Sequence, residues 1–74
     1  DLQEMFIFPN PTYGVVRISQ KDVKKVEVLD MNGRTVLQQD QCGNTIDLSN
    51  LSSGLYIMKA YDGQHWNYGK IQVK

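Results

Sequence analysis

Side chains that could support nucleophilic catalysis are few in this sequence. It holds one histidine, His65, and one cysteine, Cys42, and the other candidate nucleophiles are Ser52 and Ser53. A histidine acts as a general base only when the nucleophile lies within hydrogen-bond reach. All three candidate nucleophiles fall in segments that read as turns, and nothing in the spacing places them beside His65. We therefore predict that the chain is not an enzyme and has no catalytic residues.

An oxygen-rich stretch, DMNG at residues 30–33, could begin a calcium-binding loop. Such a loop needs several oxygen ligands and a late bidentate glutamate, and no glutamate follows at that spacing. Asn32-Gly33 between apolar runs is instead the strongest short hairpin signal, and it predicts positive φ at both residues. One cysteine with one histidine also makes a poor metal site. We expect no metal ion and no cofactor.

Size and charge exclude further classes of function. The 74 residues form one small domain, which buries only about 60% of its unfolded surface and leaves no room for a large ligand cavity. The eight basic and eight acidic residues give no net field to attract nucleic acid or an anionic membrane. No apolar run approaches the roughly 20 residues of a membrane span. We expect no nucleic-acid partner and no membrane insertion.

Turn signals recur along the chain at intervals that suit short strands. They fall at residues 9–13, 20–22, 32–33, 42–44, 52–54 and 62–63. Gaps of about 8–12 residues are typical of sandwiches and barrels, and no window carries a helical apolar stripe. The segments between turns predict strands at residues 5–8, 14–19, 24–30, 34–39, 44–48, 55–61 and 66–74. We predict an all-β fold, an antiparallel β-sandwich of about seven strands with a thin core.

The turn before Tyr56 has the pattern of a tyrosine corner. Leu51 precedes the turn, and Gly54 can take positive φ at the strand entry. In such a corner the phenol oxygen bonds a backbone group a few residues upstream and fixes the loop between the sheets. The alternative is that Tyr56 is only a core aromatic residue. We predict the corner.

Two prolines bracket one asparagine in IFPNPTYG, residues 7–14. Pro9 and Pro11 fix φ near −65° and remove two amide donors, so the stretch cannot extend a β-ladder. Asn10 can bond its neighbouring backbone in an Asx-type turn, and Gly14 gives freedom where the next strand begins. These properties favour a rigid crossing between sheets over a segment that another molecule reads directly.

Alternation along the last two predicted strands sorts their side chains onto two faces. The inward residues are Tyr56, Met58, Ala60, Ile71 and Val73. The outward apolar residues are Leu55, Ile57, Tyr61, Trp66 and Tyr68. With a two-residue loop at 62–63, Ile57 would lie opposite Tyr68, and the outer face would carry a patch that monomers rarely expose without purpose. The alternative is a bulge at Gly63 or Gly69 that turns Trp66 into the core.

The sequence ends in KIQVK, residues 70–74. Lys70, Gln72 and Lys74 share the outward parity, so we predict an amphipathic strand at the edge of a sheet. Lysines on an edge resist casual strand addition, which favours a protective role. The same edge could also accept a partner strand. An apolar outer face or an unpaired edge would favour weak self-association of the isolated domain.

Four stretches of the chain, taken together, resemble a known family. They are FPNPTYG with Val16 and Ile18 after it, VEVLDMNGRTV, IDLSNLSSGLYIMKAY and the terminal KIQVK. In this order and spacing they resemble the C-terminal sorting domain of the type IX (Por) secretion system of Bacteroidota-type bacteria. The resemblance spans nearly the whole chain and implies an immunoglobulin-like β-sandwich of about seven strands.

The resemblance implies a transport signal with no chemistry of its own. The cargo would precede the domain, transit the periplasm and leave through the outer-membrane translocon. The partners would be the translocon and associated carrier and sortase proteins. A cell-surface sortase would usually remove the domain, so that the mature cargo is released or linked to surface glycolipid. We accordingly expect residues 1–4 to end a linker from a larger secreted protein and residues 5–74 to form the sorting domain.

The resemblance also implies which residues make up the sorting motif. They are Pro9, Asn10, Pro11, Gly14, Asp30, Gly33, Arg34, Leu51, Gly54, Tyr56, Lys70, Val73 and Lys74. Because the family's export signal is concentrated at its C-terminal end, residues 70–74 are expected to carry a signal. We hypothesise that this strand and the outer face are what the translocon or a carrier recognises. The alternative is a small immunoglobulin- or fibronectin-like accessory module of a secreted enzyme or adhesin, which would bind protein or stack sugar rings on Tyr61, Trp66 and Tyr68.

Overall fold

The computed structural model describes residues 3–20, 22–40 and 43–74, and in these ranges every regular element is a β-strand. The strands are β1 (Gln3–Glu4), β2 (Ile7–Phe8), β3 (Val15–Ile18), β4 (Lys25–Asp30), β5 (Thr35–Asp40), β6 (Thr45–Asp47), β7 (Gly54–Tyr61) and β8 (Trp66–Val73). The described chain contains no helix able to cross a membrane. The all-β prediction is therefore confirmed, with most strand ends within one residue of the predicted ones.

The strands form two sheets that pack as a sandwich. The larger sheet has the order β1-β8-β7-β4-β5, and the smaller has the order β2-β3-β6. Paired strands run antiparallel, except that β1 runs parallel to β8. This arrangement agrees with the predicted immunoglobulin-like sandwich, although the β1–β8 pair departs from a purely antiparallel pattern.

The core between the sheets is built from alternate residues of the paired strands. Val16 and Ile18 of β3 are buried, as are Val26 and Val28 of β4 in the other sheet, and each pair is spaced by two as alternation requires. The buried apolar set is Met5, Ile7, Val16, Ile18, Val23, Val26, Val28, Ile46, Leu48, Tyr56, Met58, Ala60, Ile71 and Val73. Strand β5 is the exception, because only Leu37 packs partly against this core while its other side chains are exposed.

The start of the chain switches from one sheet to the other. The predicted first strand, residues 5–8, is two strands: β1 pairs with β8 in the larger sheet, and β2 pairs with β3 in the smaller one. Residues 3–4, assigned to a linker from the sequence, are paired within the sandwich. The switch brings Met5 and Ile7 over Gly69, where an added Cβ would lie 2.9 Å from Ile7 Cδ1 and 3.0 Å from the Met5 carbonyl oxygen.

The β7–β8 hairpin keeps the predicted faces but not the predicted register. Its loop has four residues, 62–65, so Tyr61 lies opposite Trp66 and Ile57 opposite Lys70. The predicted pairing of Ile57 with Tyr68 is wrong by two positions, because the loop has four residues where two were predicted. A shift of two preserves the parity of a strand. The ladder is continuous, so Trp66 is not turned inward by a bulge at Gly63 or Gly69.

The β4–β5 hairpin is present, but with a different turn from the one predicted. Gly33 has φ of 85°, whereas Asn32 is not at positive φ. The Gly33 N–H donates to the Asp30 carbonyl oxygen and the Asp30 N–H to the Arg34 carbonyl oxygen, so three residues form the loop. This is a turn followed by one left-handed glycine, the usual form of a three-residue hairpin.

Candidate functional site

The side chain of Asn10 joins the proline-rich crossing to the last strand. Its Nδ2 donates to the Lys70 carbonyl oxygen at 2.9 Å, and its Oδ1 accepts from the Gln72 N–H at 3.1 Å. The predicted Asx-type turn within the crossing is wrong, because the amide reaches across 60 residues of sequence instead. Pro9 and Pro11 have no N–H to offer, so the asparagine side chain supplies the contacts that a peptide group would make in a ladder. Both X-Pro bonds are cis.

Thr12 continues the same pairing with backbone groups. Its N–H donates to the Gln72 carbonyl oxygen at 2.9 Å, and its carbonyl oxygen accepts from the Lys74 N–H at 2.8 Å. The side chain is buried, and its hydroxyl accepts from the Gly14 N–H and donates to the Val15 carbonyl oxygen. Residues 10–12 therefore lie along the end of β8 as an irregular parallel strand.

These contacts correct the prediction that the last strand is an edge. Strand β8 pairs with β7 on one side. On its other side it pairs with β1 near its start and with residues 10–12 near its end. On this side the carbonyl oxygens of Tyr68, Lys70 and Gln72 and the N–H groups of Gln72 and Lys74 are already bonded. The exposed feature of β8 is its outer row of side chains, Tyr68, Lys70, Gln72 and Lys74.

The tyrosine corner is confirmed. The Tyr56 hydroxyl donates to the Ser52 carbonyl oxygen at 2.6 Å and lies 3.2 Å from the Ser52 Oγ. Gly54 opens β7 with φ of 155°, and Leu51 packs partly against the core. The corner fixes residues 51–54 between the two sheets.

The Asp30 carboxylate organises the β4–β5 turn. Its Oδ1 accepts from the N–H groups of Asn32 and Arg34, and its Oδ2 accepts from Arg34 Nε at 3.2 Å. The hydrogen bond from the Arg34 backbone lowers the pKa of Asp30 most; desolvation opposes it, and the Asn32 N–H and the guanidinium add to the lowering. Its oxygens are thus committed to holding the turn.

Register brings the motif stretches to one end of the larger sheet. Asp30 pairs with Tyr56, Tyr56 with Ile71, and Gly54 with Val73. Thr12 bridges to Val73, and the Leu48 N–H donates to the Gly14 carbonyl oxygen just before the corner. We call this the motif end; it comprises residues 9–14, 30–34, 48–56 and 70–74. Every sorting-motif residue implied by the resemblance lies there.

The outer face of the larger sheet carries the predicted apolar residues in two groups. Near the motif end, Leu55 is exposed and Ile57 is half-buried between Leu29 and Lys70 in the register. At the far end, the Tyr61 and Trp66 rings lie 5.0 Å apart and Tyr68 is 40% exposed. The groups are separated by Lys59, whose Nζ lies 5.0 Å from the centroid of the Trp66 ring.

Among the residues that the structure describes, the candidate catalytic side chains are not assembled into a site. His65 is exposed in the β7–β8 loop, where its N–H donates to Asp62 Oδ1 at 2.7 Å. That bond is the main cause of a lowered pKa at Asp62. Ser52 is engaged with Tyr56, and Cys42 lies outside the described residues. No hydrogen bond links His65 to a serine in the described part of the chain.

Sequence reasoning missed the role of Thr12 and the exposure of the early aromatic residues. Thr12 is 1% exposed, although nothing in its polar side chain signals burial. Phe6, just before β2, is 74% exposed, and Phe8 on β2 is 49% exposed, because both have the parity opposite to the buried Ile7. The available signal was the strand predicted over residues 5–8, since alternation puts Phe6 and Phe8 on the face opposite to Met5 and Ile7.

Residues 6–74 match the family model described as the secretion system C-terminal sorting domain. The chain belongs to this family. It is also 32% identical over 57 residues to Beta-agarase D of Zobellia galactanivorans, a match that covers 77% of this chain and 12% of that protein. The chain thus spans only a small part of the length of that relative.

As a member of this family, the sorting domain is a C-terminal signal for type IX secretion. It directs attached cargo to the cell surface or the extracellular space and is not itself catalytic.

Proposed function

We propose that the type IX machinery reads this sorting domain in its folded form, at the motif end and on the outer face beside it. The supporting observation is that stretches from four parts of the sequence meet at one end of the larger sheet. A signal built from such distant segments exists only when the chain is folded. Short peptides from the chain would therefore present the same residues without the arrangement.

The chemistry beside the motif end suits a protein partner. Leu55 and Ile57 provide an apolar centre, and Lys70 and Lys74 provide a basic margin. A complementary surface would offer an apolar patch with carboxylates around it. We propose that the translocon or a carrier subunit presents such a surface, and that the Tyr61, Trp66 and Tyr68 group extends the contact.

Protein recognition is better supported than sugar stacking on the same face. A sugar ring stacked on Trp66 needs an open face of the indole, and the Lys59 ammonium lies over that ring. The tilted Tyr61 ring is packed beside it. Retention of this chain on a polysaccharide matrix would support the accessory-module alternative.

We further propose the place of the domain in its parent protein. Cargo precedes a linker, the sorting domain follows as residues 5–74 with residues 3–4 paired to it, and any catalytic activity belongs to the cargo. The cargo transits the periplasm, and a cell-surface sortase removes the domain. Exported reporter should then be lighter than the uncleaved fusion by about the mass of the chain, 8.5 kDa. Mass spectrometry of the surface fraction would detect this difference.

The test fuses residues 1–74 behind a periplasmic reporter in a host that has the type IX system. The expected result is reporter at the surface or in the medium, and reporter left in the periplasm would contradict the sorting role. The double variant Ile57→Ser/Tyr68→Ser should fold and stay in the periplasm.

A matched control removes two exposed apolar side chains from the other sheet. Phe6→Ser/Val15→Ser changes two exposed residues at the smaller sheet: Phe6, just before β2, is 74% exposed, and Val15 on β3 is 53% exposed. This variant should be exported normally. Normal export of a folded Ile57→Ser/Tyr68→Ser variant would end the proposal for the outer face.

A further inference from the structure

We propose that Asn10 is a positioning residue of the sorting signal, which holds the end of β8 in the sheet so that Lys70 and Lys74 face the partner. This inference rests on the proposed function, since it assigns a role to a residue of the motif end that does not itself meet the partner. We call the pair of bonds from the Asn10 amide to the Lys70 carbonyl and the Gln72 N–H the Asn10 latch.

The Asn10 latch lies where the backbone cannot donate hydrogen bonds to β8. Pro9 and Pro11 lack the N–H groups that a regular strand beside β8 would donate. A carboxamide carries both a donor and an acceptor, so it can replace one peptide group of a ladder. Asn10 uses one of each, and Thr12 takes over with backbone bonds two residues later.

The latch acts on the end of β8, beyond its pairing with β1. Among the described residues, strand β1 pairs with β8 only at Asn67 and Tyr68, so the stretch from Lys70 to Lys74 has residues 10–12 as its neighbour on that side. The Gln72 and Lys74 N–H groups both point toward residues 10–12. In a strand, the direction of the backbone bonds fixes the direction of the side chains, so pinning these N–H groups keeps the two lysines on the outer face.

The same bonds decide how a partner can read β8. With the Lys70 carbonyl and the Gln72 N–H engaged, strand addition along this stretch would first have to displace residues 10–12. Thr12, buried and bonded to its neighbours, opposes that displacement. The partner therefore reads the outward side chains of β8 and leaves its backbone bonds in place.

The experiment compares three variants of the reporter fusion and of the isolated chain. Asn10→Asp keeps the size and one acceptor but replaces the donor with an oxygen that faces the Lys70 carbonyl. Asn44→Asp makes the same chemical change at an exposed residue outside the motif end, whose side chain has no hydrogen bond among the described residues. Ile46→Val removes one buried methylene from the smaller sheet and matches the general loss of stability.

We expect Asn10→Asp to speed amide exchange at Gln72 roughly tenfold, with a smaller increase at Lys74 and none at Met58. Its reporter should lose export, while Asn44→Asp and Ile46→Val keep both protection and export. Unchanged protection of Gln72 would show that the latch does not hold the strand. If Asn10→Asp were exported as well as an Ile46→Val variant of the same melting temperature, holding the end of β8 would not matter for export.

Two other outcomes would also overturn the inference. Increased export of Asn10→Asp would mean that the latch restrains the signal, and equal loss in Ile46→Val would mean that only overall stability counts. The exchange measurement does not depend on sorting. Normal export of folded Ile57→Ser/Tyr68→Ser would instead contradict the proposed recognition face. Failure of the latch inference and failure of the proposed function are therefore distinguishable.

Discussion

The Tyr56 hydroxyl donates a 2.6 Å hydrogen bond to the carbonyl oxygen of Ser52, which closes the corner at the motif end. Tyr56→Phe keeps the buried ring and removes this bond. We expect a loss of about 1 kcal/mol in unfolding free energy, or roughly 4–8 °C in melting temperature for a domain of this size. Tyr68→Phe is the control, since Tyr68 is 40% exposed and its hydroxyl has no bond within the described residues. Equal melting temperatures for both variants would contradict the role of the corner.

Gly69 is predicted to tolerate no side chain, because the chain changes sheets directly above it. A Cβ at this position would meet Ile7 Cδ1 at 2.9 Å and the Met5 carbonyl oxygen at 3.0 Å. Gly69→Ala should cost about 1–3 kcal/mol by overpacking, measured by denaturant unfolding. Gly14→Ala is the matched control, since its Cβ would make an ordinary 3.5 Å contact with Ser49 and its φ is not positive. A Gly69→Ala variant as stable as Gly14→Ala would show that the crossing can shift.

Acid should destabilise the domain through carboxylates that accept hydrogen bonds in turns. Bonds from the Ser49 side chain and backbone lower the pKa of Asp47, and backbone bonds from His65 and Gln64 lower that of Asp62. A carboxyl whose pKa is lowered by folding stabilises the folded state above its ordinary value of 3.8. That stability is lost as pH falls through the lower folded value.

Melting temperature should therefore be level near neutral pH and decline below about pH 4. Asp62→Asn can still accept from the Gln64 and His65 N–H groups, so the turn should persist while one titrating group is removed. Its acid decline should be shallower than that of the unaltered chain. Identical pH profiles would mean that Asp62 does not contribute to the acid response.

The sequence was informative wherever a local rule applied. Alternation in residues 55–61 and 66–74 gave the correct faces, and the Leu51, Gly54, Tyr56 spacing gave the corner. These features depend on neighbours within a few residues, so they leave a readable pattern. The predicted register of the β7–β8 hairpin was wrong because the same local rule was misleading there. Asp62-Gly63 reads as a two-residue turn, but the Asp62 carboxylate accepts from the Gln64 and His65 N–H groups, and the loop continues to His65.

Asn10 marks the limit of that reasoning. An asparagine flanked by two prolines predicted a rigid segment outside any regular β-ladder, and the structure contains such a segment. By itself the sequence determined the all-β class, the strand faces, the tyrosine corner and, through four ordered stretches, the family. Only the tertiary structure decided that residues 10–12 lie against the end of β8 and that the last strand is not an edge. A side-chain amide can bond a neighbour or a strand 60 residues away equally well, and only the packing of the sheets brings the second partner within reach.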